Sequence, residues 1–363
     1  MDSMQSSPAV APNPGVITSK PTSTRWVAIT GANGFIGSRL TERLASSDGH
    51  RVRGTVRSEE AAQKVRKAKA EATITSLEDV DALTKAFEGV SVVYHVAGEL
   101  AALDEARIMK VNEQGTRNVA EACARQPKPP TLVYLSSIAA AGSAARGAIR
   151  VEADVPAPVS LYGRSKLAAE RAAAKYADRV PISIVRPAIV FGPGSHDQCD
   201  ILLAIRRLRF HAIVGWRTPL LSFIHVDDLV DQLIAVADRG ERVPASSGDR
   251  LAAGTGVYFA AGTEFVTYAE WGQMAKPMLH RPYAPNYPIP KPIAWLIAWC
   301  NEGLSSFYSR PSLLTRDKIR EATVASWAAS GDKARRELGL TEPKSLKERL
   351  AETIAWYFEN KWL

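Results

Sequence analysis

Trp26-Val27-Ala28-Ile29-Thr30-Gly31-Ala32-Asn33-Gly34-Phe35-Ile36-Gly37 is the stretch on which the fold of this chain turns. A β-branched apolar run over 26–30 enters a turn with three glycines, which opens a helical pattern over 35–46. Glycines at this spacing allow a tight turn, close backbone approach to a diphosphate, and close packing of helix on strand. The anion then rests on free amides at the positive end of the helix. Glycines also serve simply to make turns. The strand before them and the helix after them favour a dinucleotide cradle built from Gly31, Asn33, Gly34, Phe35, Ile36 and Gly37.

Outward from this stretch, VRGTV (52–56), VSVVYHV (90–96), TLVYLSS (131–137) and ISIVRPA (182–188) read as further buried strands. Helical patterns over 59–70, 77–88, 105–125 and 160–178 lie between them. Strands alternating with helices of this length need crossover connections, which predicts an α/β fold with a doubly wound parallel sheet. Past about residue 190 the rhythm changes. FGPG (191–194) leads to a helix over 199–210, a short FIHV strand, a helix over 227–239, a Gly/Ser-rich loop (240–256) and the strand VYFAA (257–261). Residues 281–292 hold five prolines and must run extended or turning. The end, 344–363, reads as an amphipathic helix. The expected organisation is a flexible tail over 1–24, a dinucleotide-binding domain over 25–190, and a smaller, interleaved substrate-binding domain over 191–363. From the latter a strand and helix at about 221–261 return to the first core.

Of the 363 residues, 46% are apolar and 23% charged, which excludes disorder and a disulfide-stapled miniature. Lys+Arg 46 against Asp+Glu 38 leaves a net charge of +8. That surplus suits phosphate handling or an anionic surface but names no partner, and no nucleic-acid partner is expected. Cys123, Cys199 and Cys300 share no metal-ligand spacing; they read as reduced thiols in a cytoplasmic protein, with no metal site. The N-terminal stretch has no basic segment followed by an apolar run, so it does not read as a secretory signal. The longest apolar run, IAWLIAWC (293–300), would span roughly 12 Å as helix against a ~30 Å hydrocarbon core. Nothing here is expected to cross a membrane.

At the end of the second strand, where an acid would bond a ribose 2′-hydroxyl, stands Arg57. A guanidinium can pair a 2′-phosphate, which favours NADP over NAD. The alternative is that Arg57 is merely solvated and Glu59 or Glu60 reaches the ribose. Tyr162 and Lys166, four apart on a predicted helix, share one face. A free phenol titrates near pH 10 and is a poor acid or base at neutrality. A neighbouring ammonium, together with the positive charge of an oxidised nicotinamide, favours the phenolate and lowers the Tyr162 pKa, and Lys166 could also hold the nicotinamide ribose. Ser136-Ser137, at the end of an intervening strand, offers a hydroxyl for the substrate oxygen.

With these motifs in order, the chain resembles the extended short-chain dehydrogenases/reductases of the NAD(P)-dependent epimerase/dehydratase superfamily. The resemblance runs from about residue 26 to the C-terminus through TGANGFIG, YHVAG, VNEQGTRNV, YLSSIAAAG, YGRSK, VRPAIVFGPG and FIHVDDL. It implies a Rossmann sheet and a catalytic set of Ser137, Tyr162 and Lys166. It also implies cofactor contacts at Arg57, Ser76, Leu77, Ala97, Gly98, Tyr162, Lys166 and Pro187. Asn112 begins the NxxGT helix in a structural or a catalytic role, and His95 is expected to pack beside the cofactor rather than titrate. Where the family usually carries Gly-Asp-Leu beneath the adenine, this chain has Thr75-Ser76-Leu77, which puts the acid's contact in doubt.

Within the superfamily, nucleotide-sugar enzymes usually carry an asparagine shortly after Arg-Pro. Here Arg186-Pro187-Ala188-Ile189 has isoleucine, and the stretch looks more like 3β-hydroxysteroid dehydrogenases and dihydroflavonol 4-reductases. The resemblance therefore implies an NADP(H)-dependent oxidoreductase (NAD possible) for a secondary alcohol or ketone on a bulky apolar ring. A nucleotide-sugar epimerase or dehydratase and a non-catalytic NADP-binding sensor are the competing readings. The apolar helix at 293–304 has three readings: buried core, a lid over an apolar substrate, or a peripheral membrane contact. Arg206, Arg207, Arg209 and Arg217 are either a solvated face or a grip for phosphate or anionic lipid. The resemblance further implies a homodimer through the helices at 105–125 and 160–178.

Overall fold

The computed structural model describes residues 24–100, 105–245, 254–308 and 315–363. The expected N-terminal tail lies outside the described residues except for Thr24. Strands β1 (Arg25–Thr30), β2 (His50–Val56), β3 (Glu71–Ile74), β4 (Val92–His95), β5 (Thr131–Leu135) and β6 (Ile182–Pro187) come first in the chain. They are followed by β7 (Ile189–Phe191), β8 (His211–Val214), β9 (Leu220–His225) and β10 (Val257–Ala260). The last three are β11 (Phe265–Thr267), β12 (Asn286–Ile289) and β13 (Ser326–Trp327). Seven of these form one parallel sheet in the order β10-β6-β5-β4-β1-β2-β3. This is the expected doubly wound α/β sheet.

Alternation along β1 shows why both faces are covered. Val27 and Ile29 join a core with helices Phe35–Ala45, Glu59–Lys67 and Val226–Arg239, through Leu40, Val65 and Leu233. Ala28 points the other way, into a core with helices Val80–Ala86, Gly115–Ala124 and Leu161–Ala174, through Leu83, Val119 and Ala169. A third core, built on Phe191, Leu202, Phe223, Trp271 and Tyr357, belongs to the second half of the chain.

Several local expectations are corrected. The fifth strand stops at Leu135, because the Ser137 hydroxyl caps a short helix, Ile138–Ala141, that begins there. The helix expected over 105–125 is broken by a π-turn at Lys110–Gln114, and Glu71–Ile74 adds an edge strand that was not expected. Of the strands within 221–261, β10 and not the FIHV stretch is the one in the large sheet. β9 pairs β7, β11 and β13 in a second sheet, while Val257–Ala260 and the helix Val226–Arg239 join the first. The buried-core reading of the apolar helix is also overturned. Over 291–302 of helix Lys291–Tyr308 Ala294 and Ala298 are buried, while Ile293, Leu296, Ile297 and Trp299 face solvent.

Candidate active site

In a parallel sheet every strand ends at the same edge, so the residues just past those ends converge. Gly31 follows β1, Arg57 follows β2, and Ser76 and Leu77 follow β3. Ala97 and Gly98 follow β4, Ser136 and Ser137 follow β5, and Pro187 closes β6. The order reverses between β1 and β4, which is where ligands of such sheets bind.

The turn after β1 is shaped for close approach. Gly31 has φ +70°, and a Cβ there would lie 2.9 Å from the Ala97 Cα. A Cβ on Gly37 would lie 2.1 Å from the Gly31 carbonyl oxygen, so that glycine lets the helix start against its own turn. Helix Phe35–Ala45 has Gly34 as N-cap, no side-chain cap and no acid in its first turn. The amides of Phe35, Ile36 and Gly37 are left without a side-chain acceptor at a positive helix end. That donor set fits the diphosphate of a nicotinamide dinucleotide. Thr30 Oγ1 accepts from the Ala97 amide (3.2 Å) and bonds His95 Nδ1 (2.7 Å), tying the turn to the end of β4.

His95 is fully buried between Thr30 and Thr116, and burial pushes its pKa down to about 3, so it stays neutral. Arg57 is exposed and makes no ion pair among the described residues, whereas Glu59 pairs with Arg66 and Glu60 with Lys64 on their own helix. The Ser76 hydroxyl accepts from the Glu78 amide, and Leu77 packs over Gly115 while its carbonyl accepts from Asn118.

Ser160 caps helix Leu161–Ala174, which carries Tyr162 and Lys166. It crosses the short helix after Ser137 so closely that a Cβ on Gly163 would lie 2.4 Å from the Ala139 carbonyl oxygen. That contact brings Tyr162 to Ser137. Burial lifts the phenol to about 12, the Ser137 hydroxyl beside it pulls it back, and the Glu321 carboxylate lifts it further. In the chain without its dinucleotide, burial is the largest influence on the phenol, and Lys166 is not among the groups that shift it. Lys166 instead donates to the Leu135 carbonyl (2.7 Å) and lies 4.5 Å from the centre of the Tyr134 ring. Burial pulls its own pKa down to about 7, while Glu170 supports the charge.

Asn112, at the π-turn, accepts from the Glu99 amide and donates to the Glu99 carbonyl and to Ser165 Oγ, at 2.8–2.9 Å. It fixes the loop after Gly98, where a Cβ would approach both Asn112 Oδ1 (3.3 Å) and Lys166 Nζ (3.6 Å).

Two supporting residues escaped sequence reading. Glu170 forms a two-pronged pair with Arg186 (2.8 and 2.6 Å) and accepts from Ser136 (2.5 Å), all buried. Asp317, on helix Arg316–Thr323, accepts from the amides of Leu161 (2.8 Å) and Tyr162 (3.4 Å). Glu170, one turn past Lys166, had a readable signal in its spacing. Asp317 had none, being 155 residues from Tyr162. Among the described residues no cluster of His, Cys, Asp and Glu could hold a metal ion.

Comparison with known proteins bears on the family and the fold. A model of the NAD dependent epimerase/dehydratase family matches residues 27–248. A ceramide reductase of Caulobacter vibrioides is 29% identical over 351 residues, 93% of this chain and 96% of that protein. A 4-hydroxy-2-methyl-3-oxo-4-farnesyl-3,4-dihydroquinoline-1-oxide ketoreductase of Stigmatella aurantiaca is 30% identical over 220 residues, 58% of this chain and 64% of that one. The structure of MoeE5 in complex with UDP-glucose and NAD superposes with a TM-score of 0.70 at 25% identity, covering 92% of this chain and 99% of that one.

Proposed function

The chain belongs to the NAD-dependent epimerase/dehydratase family, and we propose that within it this protein reduces a ketone on a bulky, largely apolar molecule, with NADP(H) as preferred cofactor. The observation that carries this reading is the meeting of Ser137, Tyr162 and Lys166 at the strand ends beside an uncapped, glycine-shaped helix start. When bound, the nicotinamide supplies the hydride. Tyr162 supplies the proton: burial and Glu321 hold the phenol protonated at neutrality, which suits donation to a ketone oxygen. Ser137 orients that oxygen, and Lys166 holds the ribose. Arg57, unpaired while both neighbouring acids are occupied, supports the 2′-phosphate and hence NADP.

Two features support an apolar substrate. Ile189 stands where nucleotide-sugar enzymes carry an amide, and the relative covering most of this chain is a ceramide reductase. The second reading, a nucleotide-sugar epimerase or dehydratase, draws on the likeness to MoeE5 with UDP-glucose. A homodimer through the helices at 105–125 and 160–178 belongs to the same proposal, and light scattering at micromolar concentration tests it.

Nicotinamide absorbance with purified protein tests the function against a panel of 3-ketosteroids, 3β-hydroxysteroids, a dihydroflavonol and a keto analogue of a ceramide. Turnover with an apolar ketone, lowered at least ~100-fold in Tyr162→Phe with cofactor affinity unchanged, is the expected result. Silence across the panel together with conversion of a nucleotide sugar, without net nicotinamide change, would replace it with the second reading.

A further inference from the structure

Helix Lys291–Tyr308 is built the wrong way round for a water-facing helix. Its small side chains, Ala294 and Ala298, pack inward on Ile319 with Trp295 half-buried beside them, and Ile293, Leu296, Ile297 and Trp299 point out. Trp299 is 63% exposed, Leu296 59% and Ile293 50%. The exposure continues beyond the helix. Trp216 is 81% exposed just after β8, beside Gly215, where a Cβ would lie 3.5 Å from the Lys291 side chain. β8 pairs in parallel with β12, whose Tyr287 is exposed next to Ala212 and 5.7 Å from the Phe210 ring. These groups neighbour one another rather than scatter, because the helix packs on Val214 of β8 and Ile289 of β12.

The segments that carry that face hold charge of one sign up to Glu302, which pairs with Arg316. Residues 201–226 contain Arg206, Arg207, Arg209 and Arg217 and no Asp or Glu, and residues 271–301 contain Lys276, Arg281 and Lys291 and again no acid. Arg207, Arg209, Arg217 and Lys291 are exposed and have no carboxylate partner among the described residues. The exposed Arg43 and Arg125, by contrast, are held by acids. Tryptophan, tyrosine and isoleucine ringed by unpaired cations match a lipid–water interface, where aromatic rings sit at headgroup depth and cations meet anionic headgroups. No helix among the described residues is long and apolar enough to cross a membrane.

We propose that the face formed by Trp216, Tyr287 and the Ile293, Leu296 and Trp299 side of helix Lys291–Tyr308 docks on an anionic lipid bilayer. The docked face lies close to the candidate active site. Ala294 and Ala298 pack on Ile319, and Asp317 of the same helix accepts the amides that start the Tyr162 helix. Docking thus holds the site at the surface in which an apolar substrate is dissolved. The proposal stands independently of which substrate that is.

Flotation of the full chain with phosphatidylcholine vesicles, with and without phosphatidylglycerol, tests it. The protein should float with the anionic vesicles, bind the neutral ones more weakly, and lose most binding in high salt. Leu296→Ser with Trp299→Ser should reduce binding at least ~10-fold with dinucleotide affinity intact. Arg209→Glu with Arg217→Glu, which leaves the apolar groups in place, should lose the preference for anionic lipid. Absence of flotation with anionic vesicles, or equal flotation of wild type and both variants, overturns the proposal. So does conversion of a dimer to a monomer by Leu296→Ser/Trp299→Ser without vesicle binding, which would assign the face to a second copy of the chain.

Discussion

Replacing Glu170 by glutamine keeps the shape of the side chain and removes its charge. The carboxylate is fully buried, takes both prongs of Arg186 at 2.8 and 2.6 Å, and accepts from Ser136. Its loss leaves a guanidinium that is 2% exposed without a counter-charge. Breaking a buried pair from one side costs about 3–5 kcal/mol. The amide oxygen still accepts one bond, so the lower end, ~3 kcal/mol, is expected. At about 2 °C per kcal/mol for a chain of this size, the main melting transition should fall by roughly 6 °C in scanning calorimetry. Glu170→Leu combined with Arg186→Met should recover most of that loss, because two apolar groups leave no stranded charge. A second effect is electrostatic. Glu170 supports the ammonium of Lys166, so Glu170→Gln should lower the Lys166 pKa below about 7 and move the alkaline limb of the pH–rate profile to lower pH. A melting shift under ~2 °C, or a double variant no more stable than the single one, would refute the reasoning.

Other outcomes follow from single contacts. Arg57→Ala should weaken NADP(H) binding by about 10–100-fold and leave NAD(H) binding unchanged, measured by fluorescence titration; equal loss for both would remove the 2′-phosphate role. Burial lowers His95 to about 3 and His211 and His225 to about 4, so all three stay neutral in the folded chain at pH 5 while the unfolded chain protonates them. Stability should therefore fall as pH drops below about 6.5, by up to ~1.4 kcal/mol per pH unit for each histidine; a flat melting temperature between pH 7 and 5 would contradict this. Asp317→Ala should cost about 1–2 kcal/mol and lower turnover by up to ~100-fold while cofactor affinity holds, since it uncaps the start of the Tyr162 helix. Turnover at the wild-type level would show that Asp317 positions nothing.

The central sheet was legible because its strands are β-branched runs buried on both faces, from 26–30 to 182–188. Glu71–Ile74 was not, since a four-residue edge strand with polar, half-exposed positions has no apolar signature. The π-turn at Lys110–Gln114 is invisible to a periodicity of 3.6, as one extra residue leaves the hydrophobic pattern nearly intact. β12 forms within a proline-rich stretch because it is paired on one side only, by β8, where missing amides do little harm. At the site, spacing put Tyr162 and Lys166 on one face but could not weigh burial against charge. Spacing gives no measure of that burial, which raises the phenol in the chain without its dinucleotide. The apolar helix was legible as a helix, yet only the fold decides which of its sides the protein covers.

The carboxylate of Asp317 also sets a schedule. The Tyr162 helix starts with amides whose acceptor is encoded 155 residues later. At 5–20 residues per second of synthesis, Tyr162 leaves the ribosome about 8–30 s before the residue that seats it. The strands of the large sheet, up to Val257–Ala260, and the glycine turn are thus made while Tyr162 is still unseated. Under the proposed function, turnover waits for the segment that carries Asp317.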